Sequence, residues 1–169
     1  PHFLVVLAFI AITLTYFSPL VGGKKQLQQG DITNFRGMSE EIKKHREKYN
    51  EDPKWTNSMF GGMPAYQISV LYKNNLVQYV NKYLTLGLPH PSGYLFLYML
   101  GFYILMLVLR INPWLGLMGS VAFAFSSYFF IIIEAGHNSK AHAIAFMAPV
   151  LAGIILTFRG RLLAGGALT

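Results

Sequence analysis

The chain contains no cysteine, and charged residues make up only 12% of it. The absence of cysteine excludes disulfide bonds and thiol chemistry. So few charges, together with a hydrophobic fraction of 53%, do not fit a soluble globular domain and are typical of a protein with several membrane spans. The net charge of +7 does not indicate nucleic-acid binding, because most basic residues alternate with acidic ones in a single stretch.

That stretch is 24–90, which holds ten of the fourteen Lys and Arg residues and six of the seven acids. Strongly apolar segments flank it on both sides. Mixed charge of this density needs water, whereas the flanking segments need a lipid or protein interior. We therefore predict that 24–90 is a large loop in water between two membrane spans.

Four apolar segments approach the roughly 20 residues that a helix needs to cross a bilayer. They are 3–21, 91–109, 114–133 and 143–158, and an apolar segment after residue 161 starts a fifth. We expect 1–169 to be the N-terminal part of one all-α polytopic transmembrane domain. A cleaved signal peptide is the alternative for the first segment, but the end of that segment lacks a small-x-small cleavage pattern.

Basic residues in the short loops set the expected orientation. Arg110, Arg159 and Arg161 follow the second and fourth apolar segments, and the positive-inside rule makes those turns cytoplasmic. The loop 24–90 and the short polar loop 134–142 are then extracytoplasmic. The bases of 24–90 do not reverse this orientation, because long loops are translocated largely regardless of charge.

Two surface helices are predicted inside 24–90. The first is 39–49, with Ser39 as N-cap and its acids placed before its bases, as the helix dipole favours. The second lies along the membrane surface, because apolar side chains recur in it at helical spacing: Leu76, Val80, Tyr83 and Leu84.

A turn is predicted between the two helices. Gly61 and Gly62 precede Met63-Pro64, and paired glycines beside an X-Pro bond require an unusual backbone path. We expect this turn to bring the chain close to another part of the molecule or to its substrate.

Ionisable residues at the ends of spans are the candidate site. Asp31 follows the first span, and Glu134, His137 and Lys140 lie between the third and fourth, so all four can converge at the outer membrane surface. A carboxylate there, Asp31 or Glu134, could take a proton from an acceptor. Lys140 and a protonated His137, with Asn138 and the Gly61-Gly62 turn nearby, could bind a substrate phosphate.

Structural alternatives exist for each of these residues. The alternative for Asp31 is a turn or helix cap after Gly30, and the alternative for Glu134 and Lys140 is an interfacial ion pair or side chains that extend to the interface. The histidines could hydrogen-bond backbone carbonyls. Glu134-x-x-His137 has the spacing of a di-iron ligand pair, but such a site needs two pairs and further Glu residues on facing helices, so no metal site is assigned.

The motifs in combination resemble the N-terminal part of the bacterial YfhO family of membrane proteins, within the C-type glycosyltransferase superfamily. The resemblance rests on Tyr16-Phe17-Ser18-Pro19-Leu20, Gln29-Gly30-Asp31, Met59-Phe60-Gly61-Gly62-Met63-Pro64 and Glu134-Ala135-Gly136-His137-Asn138-Ser139-Lys140. It covers nearly all of the 169 residues, but only the beginning of a family member.

The resemblance implies a multi-span enzyme of the bacterial inner membrane that transfers a sugar from a polyprenyl-phosphate donor to an extracytoplasmic acceptor. Asp31 matches the superfamily's first-loop catalytic acid and Glu134 an acid of the second outer loop, with Lys140 and His137 near the lipid phosphate. Other members often carry paired acids in these loops, whereas each acid here stands alone, so a divalent cation is allowed but not required.

Two other classes compete with the enzyme. A non-catalytic membrane subunit could anchor or bind a membrane-protein partner through 24–90. A transporter would be expected to carry ionisable residues at the centre of its spans, and these spans have none.

Overall fold

The computed structural model describes residues 1–23, 25–72 and 74–169, and these are mostly helical. Lys24, the first residue of the predicted loop, and Lys73 lie outside the described residues. The elements are α1 (His2–Tyr16), α2 (Ser18–Val21), α3 (Gly30–Tyr49), β1 (Trp55–Thr56), β2 (Met63–Pro64), a 3₁₀ turn (Ala65–Gln67), α4 (Val77–Leu84), α5 (Ser92–Val108), α6 (Pro113–Ala124), α7 (Ser127–Ala135), α8 (Asn138–Phe158) and α9 (Leu162–Leu168).

Helices α1, α5, α6, α7 and α8 form one bundle around an apolar core. The core is built from large side chains such as Phe9, Leu95, Tyr98 and Met99, all almost fully buried. Helices α5 and α8 approach each other closely where Gly101 lies against the Ala145 carbonyl; an added Cβ on Gly101 would be 2.8 Å from that oxygen. Glycine at this contact lets the two helix backbones approach closely.

Two predicted spans are broken helices. The segment 3–21 divides into α1 and α2 at Phe17, with Pro19 in the first turn of α2, because proline cannot continue the hydrogen bonding of a helix interior. The segment 114–133 divides into α6 and α7, which meet at an angle of 47° around Phe125 and Ser126.

The length and apolar character of the helices bear on membrane crossing. In the described part of the chain, α8 is long and apolar enough to cross a membrane, and the bent pair α6–α7 passes the same test if it counts as one segment. α1 and α5 are apolar but shorter, with 15 and 17 residues. α8 begins at Asn138 rather than at the predicted residue 143, so the predicted loop 134–142 shrinks to Gly136 and His137.

The bundle has two distinct ends. At one end Arg159 donates a hydrogen bond to the Val108 carbonyl, which brings the turn after α5 beside the turn after α8. At the other end lie α3, the β-hairpin and the junction between α7 and α8. The basic turns and the charged loop are therefore on opposite ends of the bundle.

The loop 25–72 folds into a small unit built on α3. The prediction that a helix begins at Ser39 was wrong: α3 begins at Gly30, and Ser39 lies inside it. Ile42 of α3 is fully buried, and Glu41 accepts hydrogen bonds from the Thr56 hydroxyl at 2.6 Å and the Asn57 amide at 2.9 Å. Tertiary contacts of this kind stabilise a helix whose own sequence favours it only weakly.

The expected glycine turn is confirmed as the end of a β-hairpin. Strand β1 pairs antiparallel with β2, and Gly61 and Gly62 have φ angles of 78° and 118°. An added Cβ on Gly62 would lie 2.5 Å from the Trp55 indole nitrogen, so the turn also needs glycine for close packing.

Helix α4 occupies the position predicted for the second surface helix. Asn81 of α4 lies 2.8 Å from the His142 ring of α8, and Leu84 packs against the core. Leu76, Val80 and Tyr83, which share one side of the helix with Leu84, are exposed. An apolar face turned outward is the arrangement of a helix at a membrane interface.

Candidate functional site

The candidate site lies at the junction of α7 and α8. Helix α7 ends in a Schellman motif: the His137 amide donates to the Ile132 carbonyl at 3.1 Å and the Gly136 amide to the Ile133 carbonyl at 3.2 Å. Gly136 supplies the left-handed conformation that this motif requires, with φ of 92°. The chain then enters α8 at once.

The buried side chain of Gln29 joins this junction to the beginning of α3. Its amide donates to the Ile133 carbonyl at 2.5 Å, and lies 3.4 Å from the Asn138 side-chain oxygen. Gln29 is only 6% exposed, and the Gly136 position leaves no room beside it, because an added Cβ there would lie 3.0 Å from the Gln29 Cβ. The first residues of α3 are therefore held against the end of α7.

This contact brings Asp31 and His137 together. The Asp31 carboxylate lies 2.9 Å from the His137 Nδ1, and each side chain is about half exposed. Asp31 is in the first turn of α3, where the helix dipole favours a negative charge. A carboxylate paired with an imidazole at a water-accessible surface has the composition of a proton-accepting site.

The other predicted site residues are spread around this pair. Asn138 is within 3.4 Å of Gln29, whereas Lys140 lies over the Tyr128 ring, 5.3 Å from its centroid. Glu134 is exposed and lines a different groove from Asp31. Gly61 and Gly62 form the turn that follows Met59, and Met59 lines a groove with Asp31.

A groove of about 550 Å³ passes between α2 and α7, and we call it the apolar groove. Its walls are mainly hydrophobic, with Tyr16, Phe17, Leu20, Phe130 and Ile131 among them, and Glu134 lies at its edge. It shares Leu20, Lys25, Gln26 and Leu27 with the basic groove described next.

The basic groove, of about 980 Å³, is lined by Lys25, Arg36 and His90 together with Gln29 and Asn138. No Asp or Glu is among its described lining residues. Partial burial of the His90 ring lowers its pKa, and a side-chain hydrogen bond with Asn138 partly offsets the effect. The two permanent cations make this groove suited to an anion.

A third groove, of about 780 Å³, runs along α3 from Asp31 to the β-hairpin, and we call it the α3 groove. It shares Thr33 with the basic groove. The two grooves therefore adjoin at Thr33, and Asp31 lines the α3 groove alone.

Among the residues that the structure describes, no three His, Asp or Glu side chains lie close enough together to hold a metal ion. Glu134 and His137 do not form a helical ligand pair, because Gly136 ends α7 between them and His137 contacts Asp31.

Sequence reasoning missed Gln29, Lys25, Arg36 and His90. An amide such as Gln29 has no titratable group to attract attention, and only its burial identifies it. Lys25 and Arg36 were hidden among the many bases of the loop. His90 precedes Pro91 at the start of α5, and its contact with Asn138 depends on the packing of distant segments.

Comparisons of the chain with protein-family models, with curated proteins and with solved structures found no match.

Proposed function

We propose that the protein is a membrane glycosyltransferase that transfers a sugar from a polyprenyl-phosphate donor to an extracytoplasmic acceptor. The observation that carries this proposal is the contact between Asp31 and His137, 2.9 Å apart at the surface end of the bundle. Similarity of the motifs to the YfhO family supports the same assignment, with membership of that family as part of the proposal.

The connected apolar and basic grooves support a lipid-phosphate donor. A polyprenyl-phosphate sugar has a long apolar chain and a head with a negatively charged phosphodiester, and these two grooves offer one compartment for each. Lys25 and Arg36 line the second compartment and would bind the phosphate as charge-assisted hydrogen-bond donors. In this arrangement Lys25 and Arg36 take the phosphate-binding role that the sequence suggested for His137 and Lys140.

Asp31 would act as the general base. The acceptor hydroxyl oxygen forms a bond to C1 of the sugar while the bond from C1 to the phosphate oxygen breaks. The acceptor proton passes to the Asp31 carboxylate, and the bonding electrons leave with the polyprenyl phosphate. His137 orients the carboxylate, and the cations of the basic groove stabilise the charge that develops on the leaving phosphate.

The proposed membrane arrangement has four spans, formed by α1–α2, α5, α6–α7 and α8, with α9 beginning a fifth. The basic turns would face the cytoplasm, and 24–90 would be outside, at a bacterial inner membrane. The positions of the basic turns and of the charged loop at opposite ends of the bundle support this orientation. The exposed apolar face of α4 would lie along the outer lipid surface.

The test is donor turnover by the purified protein in lipid nanodiscs. Polyprenyl-phosphate donors carrying different radiolabelled hexoses and N-acetylhexosamines are supplied with bacterial envelope glycans as acceptors. We expect release of polyprenyl phosphate in step with transfer of label to glycan for one donor. If no donor is consumed or bound while the protein remains folded, the enzyme assignment is wrong, and a subunit that binds a partner through 24–90 takes its place.

A further inference from the structure

The α3 groove begins at the Asp31 carboxylate and continues away from the two grooves that suit a lipid phosphate. Asp31, Thr33, Asn34 and Gly37 of α3 form one wall, and Ser58 and Met59 of the hairpin form the other. Because Thr33 lines both this groove and the basic groove, the two grooves adjoin at Thr33, two residues along α3 from Asp31.

The walls of the α3 groove are held in place by hydrogen bonds. Ser58 donates to the Met38 carbonyl at 2.9 Å, and Glu41 of α3 accepts from Thr56 and Asn57 of the hairpin. Arg46 adds two bonds of 2.9 Å to Ser69, which fix the chain that follows the hairpin. A groove that is already formed binds without the entropy loss of ordering its walls.

The chemistry of the lining defines the kind of ligand. Hydroxyl and amide groups come from Thr33, Asn34 and Ser58, and Met38 and Met59 supply apolar contact area. Asp31 is the one charged residue among the described lining residues. An anionic ligand would be repelled by that carboxylate, whereas a neutral ligand with many hydroxyl groups would bond the polar side chains and present one hydroxyl to Asp31.

We propose that the α3 groove binds the acceptor, and that the acceptor segment is a neutral polyhydroxylated chain such as an oligosaccharide. This proposal rests on the glycosyltransferase assignment. It adds a second substrate site, which contains Asp31 and adjoins the donor groove at Thr33.

Gly37 allows the groove to be blocked without damage to the fold. It lies within α3, it is exposed, and an added Cβ meets no atom within 4 Å. A leucine at this position would therefore occupy the groove itself. Lys44→Leu is the matched control, because Lys44 is an exposed residue of the same helix outside the groove, with one ion pair to Glu40.

Methionine methyl signals provide a readout that needs no activity. Protein labelled with ¹³C-methyl methionine in nanodiscs is titrated with maltotetraose, cellotetraose and chitotetraose, three neutral oligosaccharides. Met38→Leu and Met59→Leu identify the two groove signals. Met118 and Met147, which are exposed on bundle helices away from the groove, serve as internal references.

We expect saturable shifts of the Met38 and Met59 signals with at least one oligosaccharide, lost in Gly37→Leu and retained in Lys44→Leu. If neither groove signal responds to any of the three, or if Gly37→Leu responds like the native protein, the acceptor proposal is wrong. Failure of the enzyme assignment is a separate outcome, because it appears as absence of donor turnover. The shifts of the methionine signals on titration with oligosaccharide do not depend on turnover.

Discussion

Gln29 and Ile133 are 104 residues apart in the chain, and the Gln29 side-chain amide donates a 2.5 Å hydrogen bond to the Ile133 carbonyl. That carbonyl belongs to the last turn of α7, where it also accepts from the Gly136 amide at 3.2 Å. Gln29 immediately precedes α3, and so this bond fixes the beginning of α3 at the junction where His137 is located. The distance between Asp31 and His137 thus depends on a residue that takes no part in the chemistry.

Replacement of Gln29 by leucine should therefore impair both stability and transfer. The Ile133 carbonyl loses one of its two donors, and loss of one hydrogen bond costs about 0.5–1.5 kcal/mol. The start of α3 is released as well. Thermal melting in nanodiscs and the turnover number measure the two effects. Gln28→Leu is the control for melting, because Gln28 is exposed beside Gln29; since it also lines the basic groove, turnover is compared with the native protein instead. Equal melting temperatures for the two variants would show that the Gln29 bond does not hold the junction.

Gly136→Ala should be more destabilising than an ordinary helix substitution. Its φ of 92° costs an L-residue about 1–2 kcal/mol, and the new Cβ would lie 3.0 Å from the Gln29 Cβ and 3.3 Å from the Asp31 Cβ. Gly37→Ala is the matched control, because its helical backbone and open surroundings predict a gain of about 0.5–1 kcal/mol. The prediction fails if both variants melt alike.

The sequence was sufficient to predict that Asp31 and His137 could meet, because both follow apolar segments that were expected to end on the same side of a membrane. It was not sufficient to predict the start of α3. The residues Gly30 to Met38 include Gly37 and lack a regular apolar face, so local propensity favoured a start at Ser39. The hydrogen bond from Gln29 to Ile133 and the burial of the Ile42 side chain stabilise α3 and outweigh that weak propensity.

The breaks in the predicted spans had signals of different strength. Pro19 in Ser18-Pro19 predicts the break between α1 and α2, since proline removes a helix hydrogen bond. The 47° bend between α6 and α7 has only Ser126-Ser127 to mark it. The rings of Tyr16, Phe125 and Phe130 pack together at that bend, and the centroids of the two Phe rings lie 5.0 to 5.5 Å from the Tyr16 centroid. A single sequence does not reveal that these rings meet.

The proposed orientation can be tested with single cysteines, because the native chain has none. Glu47→Cys, in α3, should react with a membrane-impermeant maleimide in intact cells. Arg161→Cys, in the turn before α9, should react only after the cells are opened. The reverse labelling pattern would move Asp31 and His137 to the cytoplasmic surface and overturn the proposed siting of the reaction.

Arg36→Gln should weaken binding of the donor rather than slow the chemical step. Arg36 lines the basic groove, and loss of one charge-assisted hydrogen bond of about 1.5–3 kcal/mol corresponds to a roughly 10- to 100-fold higher KM for the polyprenyl-phosphate donor. Lys140→Gln is the comparison, because Lys140 lies over Tyr128 and lines neither groove. A larger increase in KM from Lys140→Gln than from Arg36→Gln would indicate that the phosphate binds near Lys140 of α8 instead.

Asp31→Asn should remove the reaction while leaving the fold nearly unchanged. The carboxylate is half exposed, so its loss from the first turn of α3 should lower stability by no more than about 1 kcal/mol, the usual range for a charge near a helix terminus or an exposed ion pair. Loss of a general base lowers the rate about 10²- to 10⁴-fold. Glu47→Gln removes a more exposed acid from the same helix, whose ion pair among the described residues is with Lys43 at 3.9 Å, and should leave transfer intact. Transfer of labelled sugar from the polyprenyl-phosphate donor is measured beside thermal melting, and donor binding is measured separately so that a binding defect is not mistaken for a chemical one.

An Asp31→Asn protein that binds the donor, melts near the native temperature and still transfers sugar at the native rate would exclude Asp31 as the base. If instead it melts far below Glu47→Gln, Asp31 is a structural residue that holds α3 against His137.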